Sequence, residues 1–261
     1  LDEVLLSRVE DAGLNASAPP QQRWIDGWLV RYSPGKAKRA RCINALAMGR
    51  LPLMDRLQQA QRVFDEAGLP ALVRITPFTQ PTALDAWLAE RGWTVLDDTR
   101  VMVCTRLPPG QPAALPAGTR WEALDAAAYA EAVGTLRGSP AEQRLAHAHR
   151  LAASPVPYRG HAIRRLGDGA VLACGQFARE AALVGLYDVH TQPQARGQGL
   201  AGMLCERLLS LAAEEGARVA YLQVDAGNSA ARRIYQRLGF ADGYAYHYRL
   251  PPDQPACATA V

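Results

Sequence analysis

Residues 196–201 read Arg-Gly-Gln-Gly-Leu-Ala, between an apolar run, "AALVGLYDVHT" (181–191), and a stretch carrying Leu200, Leu204, Leu208 and Leu211. The continuous apolarity predicts a buried strand, and the leucine spacing predicts a helix with one buried stripe. Glycine at a helix start costs about 0.5–1 kcal/mol relative to alanine, so two glycines there signal a need for bare backbone. The first N–H groups of a helix lack internal partners and sit at the positive end of its dipole. A glycine loop at that point lets backbone amides crowd around a phosphate. Arg196, Gly197, Gln198, Gly199, Leu200, Ala201 and Gly202 therefore form a candidate anion cradle, although a tight strand-to-helix turn would use the same string. It is not a P-loop, because no Gly-Lys-Ser/Thr follows, and it lacks the three-glycine dinucleotide form.

The order of elements around this loop predicts an α/β (α+β) fold. "TRWEAL" reads as a strand, and two helices follow, capped by Asp125 and Ser139. "HAIRRLGDGAVLACGQFARE" is a hairpin turning at Gly167-Asp168-Gly169, and after the leucine helix come a strand "ARVAYLQV", a helix "NSAARRIYQRLG" and a strand "FADGYAYHYRL". The N-terminal half repeats the last part of this order. "LPLMDRLQQAQRVFDEAGLPALVRI" is helix then strand, "PTALDAWLAERGW" a helix, and "TVLDDTRVMVCTRL" a strand. Such long-range similarity points to duplicated domains, with a Pro/Gly-rich linker at 107–118 and a frayed tail at 251–261. The expected division is 1–110 and 111–261.

The C-terminal order, strand, glycine cradle, leucine helix, strand, then Asn228 and Tyr235 on a helix, resembles the GNAT superfamily of acyl-CoA N-acyltransferases. Arg196, Gly199 and Ala201 meet the family's R/Q-x-x-G-x-G/A motif, and Asn228, Ala231, Tyr235, Gly239 and Phe240 meet its Asn-to-Gly-Phe signature. The resemblance implies a tandem GNAT fold, a mixed, strongly twisted sheet flanked by helices and splayed at the CoA site. It implies acetyl-CoA as co-substrate, with pantothenate amides pairing to the backbone of Val189, His190 and Thr191 and pyrophosphate on amides 197–202. His190 then serves through its backbone. Asn228 either hydrogen-bonds the cofactor or caps its helix. Tyr235 is the candidate catalytic acid that protonates the leaving thiolate, or else orients the cofactor. The implied acceptor is a small-molecule or peptide amine, and no metal is needed. Many family members carry a general-base Glu on the strand before the Asn helix. This chain has Gln223 there, which leaves Asp188 or Asp225 for the task, or a substrate amine of lowered pKa or a water chain that does without a dedicated base.

Aligning the halves at Gly92 and Gly239 puts Leu88 opposite Tyr235 and Pro81 opposite Asn228, and "NALAMGRLPL" offers a single glycine. The N-terminal copy is thus expected to be a degenerate one that does not bind CoA and serves as scaffold or as a wall of the substrate pocket. "RWIDGWLVRY" read as one strand puts Trp24, Asp26, Trp28, Val30 and Tyr32 on one face, either packing the sheet or lining an acceptor pocket.

Bulk properties narrow the class further. Twenty-nine basic against 25 acidic residues give a net charge of +4, too little and too scattered for a nucleic-acid or membrane partner. Five cysteines form no CxxC or Cys/His cluster, as in a reducing compartment. The acidic opening residues carry no signal-peptide pattern, and no apolar run approaches a membrane span. The expectation is a cytoplasmic acetyltransferase. The rival readings are an enzyme using another acyl-CoA or a non-amine acceptor, and a CoA-bound but inactive sensor or scaffold.

Overall fold

The computed structural model describes residues 1–33, 37–107 and 114–252. Along the chain these form α1 (Glu3–Ala16), β1 (Gln22–Ile25), β2 (Trp28–Arg31), β3 (Ile43–Ala45), α2 (Leu53–Ala67), β4 (Val73–Ile75), α3 (Leu84–Ala89) and β5 (Thr94–Cys104). Then follow β6 (Thr119–Leu124), α4 (Ala126–Arg137), α5 (Ala141–Ala152), β7 (Tyr158–Arg165), β8 (Val171–Glu180), β9 (Leu183–Thr191), α6 (Leu200–Glu214), β10 (Val219–Asp225), α7 (Ser229–Arg237) and β11 (Ala241–Leu250). The expected boundary at 110/111 and the last nine residues, with Cys257, lie outside the described residues.

The chain divides into two units, each assembled from three stretches. The first takes Leu1–Ala16, Val101–Val224 and Asn228–Gly243; the second takes Ser17–Arg100, Asp225–Gly227 and Tyr244–Val261. The first helix of the chain thus belongs with the C-terminal half, and both β5 and β11 begin in one unit and end in the other.

In the first unit the strands run β10-β9-β8-β7-β6, antiparallel except for the parallel pair β9 and β10. That pair is joined through α6, whose Leu200, Leu204 and Leu208 lie in a core with Phe177, Leu186, Leu222 and Phe240. Tyr129 of α4 packs on the sheet with Ala162 and Cys174. Asp125 caps α4 as its sequence predicts, accepting from Ala128 N at 2.8 Å. Ser139 does not cap α5: the N-cap position is Pro140, whose fixed φ suits a helix entrance and whose side chain accepts nothing.

In the second unit the strands run β1-β2-β3-β4-β11, with β3 and β4 parallel and joined through α2. Leu57, Ala60 and Phe64 fill its core together with Trp28, Ile43 and Val73. The order β3-α2-β4-α3 restates β9-α6-β10-α7, which is the duplication visible in the sequence. "RWIDGWLVRY" departs from its expected single strand. Asp26 (φ +42°) and Gly27 (φ +84°) turn the chain, so β1 and β2 form a hairpin pairing Ile25 with Trp28. The alternation resets at that Asp-Gly turn: Trp24 is 63% exposed and Trp28 fully buried, so the two do not share an aromatic wall.

Candidate active site

The sheet of the first unit forks at β9. Its parallel register with β10 runs from Val219↔Leu183 to Leu222↔Leu186, and among the described residues no β10 partner is registered for 187–191. On the other edge Gln176 pairs with Tyr187 but Cys174 with His190, so Asp188 and Val189 together oppose Gly175. This is a β-bulge, which bends a strand and increases its twist. Asp188 takes a left-handed conformation there, at φ +51°.

Four side chains hold the bulge. The Asp188 carboxylate accepts from Arg137 at 3.0 Å and from Gln176 Nε2 at 2.9 Å, with His147 Nε2 at 3.5 Å. Its carbonyl accepts from the Tyr129 hydroxyl at 2.9 Å. His147 and Arg137 together hold the carboxyl far below the usual carboxylate range, outweighing the opposing effect of burial. A carboxylate so occupied is a weak proton acceptor at neutral pH, so its chemistry here is to fix the fork. Asp225, the other candidate base, accepts from Gly227 N at 2.8 Å in a local turn.

Beyond the bulge a groove of about 730 Å³ opens between β9, the loop before α6, and α7. Val189, His190 and Thr191 line one side of it. Arg196, Gly197, Gly199, Leu200, Ala201 and Gly202 line the turn, and Asn228 the α7 side. Gly197 (φ +77°) and Gly199 (φ +76°) both need the left-handed conformation, and a Cβ on Gly197 would point into open space. The loop is therefore glycine for its backbone path, which leads into the free amides of the first turn of α6.

Asn228 caps α7, its Oδ1 accepting from Ala231 N at 3.1 Å. Burial and the charges of Arg137 and Arg196 lower the His190 imidazole, keeping it neutral near pH 7.

Gln198 and Tyr235 are not among the groove-lining residues. Tyr235 packs against the core, its ring edge-to-face with Phe240 at 6.0 Å, while its neighbours Ile234 and Leu238 face the groove. Burial, with the nearby Cys205, pushes the Tyr235 phenol up, so it keeps its proton at neutral pH. Arg237 also lines the groove and escaped the sequence reading. Its signal was a cation three residues after Ile234, one turn further along the same side of α7. Among the described residues no group of three or more His, Cys, Asp or Glu could hold a metal, and no helix is long and apolar enough to cross a membrane.

A parallel strand pair forked at a bulge, with a glycine turn leading into the intervening helix, defines the GNAT class of acetyltransferase folds. Residues 6–249 match the family model described as "Probable histone acetyltransferase Rv0428c C-terminal", and the chain belongs to that family. It is 24% identical over 231 residues to the "Uncharacterized N-acetyltransferase YobR" of Bacillus subtilis, covering 88% of this chain and 92% of that one. Among solved structures it resembles a GCN5-related N-acetyltransferase from Kribbella flavida, with TM-score 0.68, 20% identity and coverage of 96% and 97%. It also resembles a tandem GNAT protein from the clavulanic acid biosynthesis pathway, with TM-score 0.65, 16% identity and coverage of 78% and 70%.

Proposed function

We propose that this acetyltransferase transfers the acetyl group of acetyl-CoA to a primary amine, at the fork of β9 and β10. The observation that carries the reading is the groove itself, in which the glycine turn, the bulged strand and the cap of α7 converge. Acetyl-CoA supplies the thioester; the chain's residues bind it and handle protons. Backbone amides of 197–202 receive the pyrophosphate, helped by the charges of Arg196 and Arg237. The open edge of β9 at Val189, His190 and Thr191 pairs with the pantetheine amides, as an added strand would. Amides held rigid at the bulge stabilise the developing oxyanion. Tyr235, protonated at neutral pH, is the donor to the leaving thiolate in this reading, which requires its hydroxyl to turn from its packing beside Phe240 toward the groove. The N-terminal copy is a scaffold without a cofactor site, and the four cysteines among the described residues, all buried and none in a disulfide, suit a reducing cytoplasm.

Tyr235→Phe tests the assignment. It should lower kcat by roughly 10²–10⁴-fold with acetyl-CoA affinity nearly unchanged, since a proton transferred only in the transition state affects rate and not binding. Near-normal kcat removes Tyr235 from the chemistry, and a loss confined to acetyl-CoA affinity makes it a cofactor-orienting residue. Gln223 favours a second reading, a protein that holds acetyl-CoA without turning it over. Release of free thiol in the presence of an amine panel separates the two.

A further inference from the structure

The fork has two faces, and the groove occupies only one of them. Alternation along β10 sends Ala220, Leu222 and Val224 into the core with α6, and Tyr221 and Gln223 to the opposite face. There α1 lies on the sheet. Gly13 lets it approach so closely that a Cβ would stand 3.3 Å from Gln223 Nε2 and 3.8 Å from the Tyr221 ring. One end of the helix is fixed by Leu6 against Gly243, and the other by Ala16, whose carbonyl accepts from the Tyr158 hydroxyl at 2.8 Å.

On this face the hydroxyl of Tyr221, whose backbone pairs with Gly185, reaches that of Tyr187 just past the last rung of the pairing, 2.8 Å away. Gly185 makes room for them: a Cβ there would stand 2.7 Å from either the Tyr187 hydroxyl or the Tyr221 ring. Leu6, Glu10 and Gly13 are spaced four and three apart, so they share the helix face that meets the sheet. Glu10 therefore sits between the contact at Gly243 and the contact at Gln223, and it is 4% exposed. The strand that lacks a carboxylate at 223 is covered at that point by a helix that brings one.

We propose that the acceptor enters on the α1 face of the fork and that Glu10 is the general base that deprotonates it. The assignment rests on the amine-acetyltransferase reading above. The carboxylate takes one proton from the acceptor ammonium. The freed amine lone pair then forms the C–N bond at the acyl carbon, and the C–S bond breaks. The nitrogen sheds its second proton as the thiolate gains one, so the products are amide, thiol and a single proton released from Glu10 to solvent. The Tyr187–Tyr221 pair offers hydroxyls beside this path.

The test uses two acceptors, a primary alkylamine turned over by the wild-type protein and hydroxylamine, which is already largely unprotonated at neutral pH. Glu10→Gln should cut the rate with the alkylamine by roughly 10²–10⁴-fold, leave hydroxylamine within about threefold, and keep acetyl-CoA affinity by calorimetry unchanged. Glu10→Asp keeps the charge and should show a smaller loss with the same selectivity, so it decides the matter if the Gln variant does not fold. Gln223→Glu added to Glu10→Gln should restore part of the alkylamine rate. Equal loss with both acceptors, or none with either, overturns the role of Glu10. The acetyltransferase reading survives that result, because it stands on thiol release by the wild-type protein.

Discussion

At Gly199 the site depends on a conformation more than on a side chain. A Cβ there would meet only Met203 Cε, at 3.9 Å, so the space is open while φ is +76°. A β-branched residue in that region costs about 1–3 kcal/mol, and relieving the strain would turn the amides of the loop. Gly199→Val should therefore weaken acetyl-CoA binding at least about tenfold, with far-UV circular dichroism retained. Unchanged affinity in a calorimetric titration would move the cradle elsewhere. Residues of this kind are legible in sequence because their meaning is local. Asp188 is not: its partners Arg137, His147 and Gln176 come from α4, α5 and β8, and no window along the chain joins them. A carboxylate that looks like a base in sequence is, with its partners assembled, the lock on a bulge.

Among the elements, β7 carries a feature with a consequence for acid stability. His161 is buried, stacked on Trp121 at 4.9 Å and on Phe177 at 6.3 Å, and its Nδ1 has no hydrogen-bond partner. Burial, aided by Arg159, lowers its pKa to about 4. The unfolded chain takes up this proton near pH 6.5 and the folded chain only near 4, so stability falls as pH drops through that window. The loss approaches roughly 3 kcal/mol. His161→Phe keeps the stack and removes the titration, so its urea midpoint should fall less than that of the wild type between pH 7 and 4.5. Parallel declines would refute a buried neutral imidazole. Strong periodicity or turn chemistry made most elements readable, α6 above all. The sequence reading passed over α1, because its buried side mixes a carboxylate, Glu10, and a lone Leu14 with the small residues Val9, Ala12, Gly13 and Ala16, which makes a faint stripe. The hairpin of β1 and β2 was written in Asp26-Gly27, but alternation carried past the turn hid it.

For the molecule as a whole, the duplication was legible and the way the chain distributes it was not. The second unit repeats the strand–helix–strand core, yet α2 starts at Pro52 with no side-chain cap, where α6 starts from a glycine in the left-handed conformation. Calorimetry should accordingly find about one acetyl-CoA site per chain; two equivalent sites would contradict the degenerate copy. Linear reading divides the chain once, because linkers announce themselves by composition, whereas the docking of a terminal helix or the end of a strand is decided by burial far away in sequence. The interleaving has a consequence for biosynthesis. α1 is made well before the rest of its unit, which resumes only at Val101 and closes with Gly243. The second unit waits longer still, for the strand residues from Tyr244 onward. A chain that stops before Gly243 therefore leaves both units incomplete and releases no finished half.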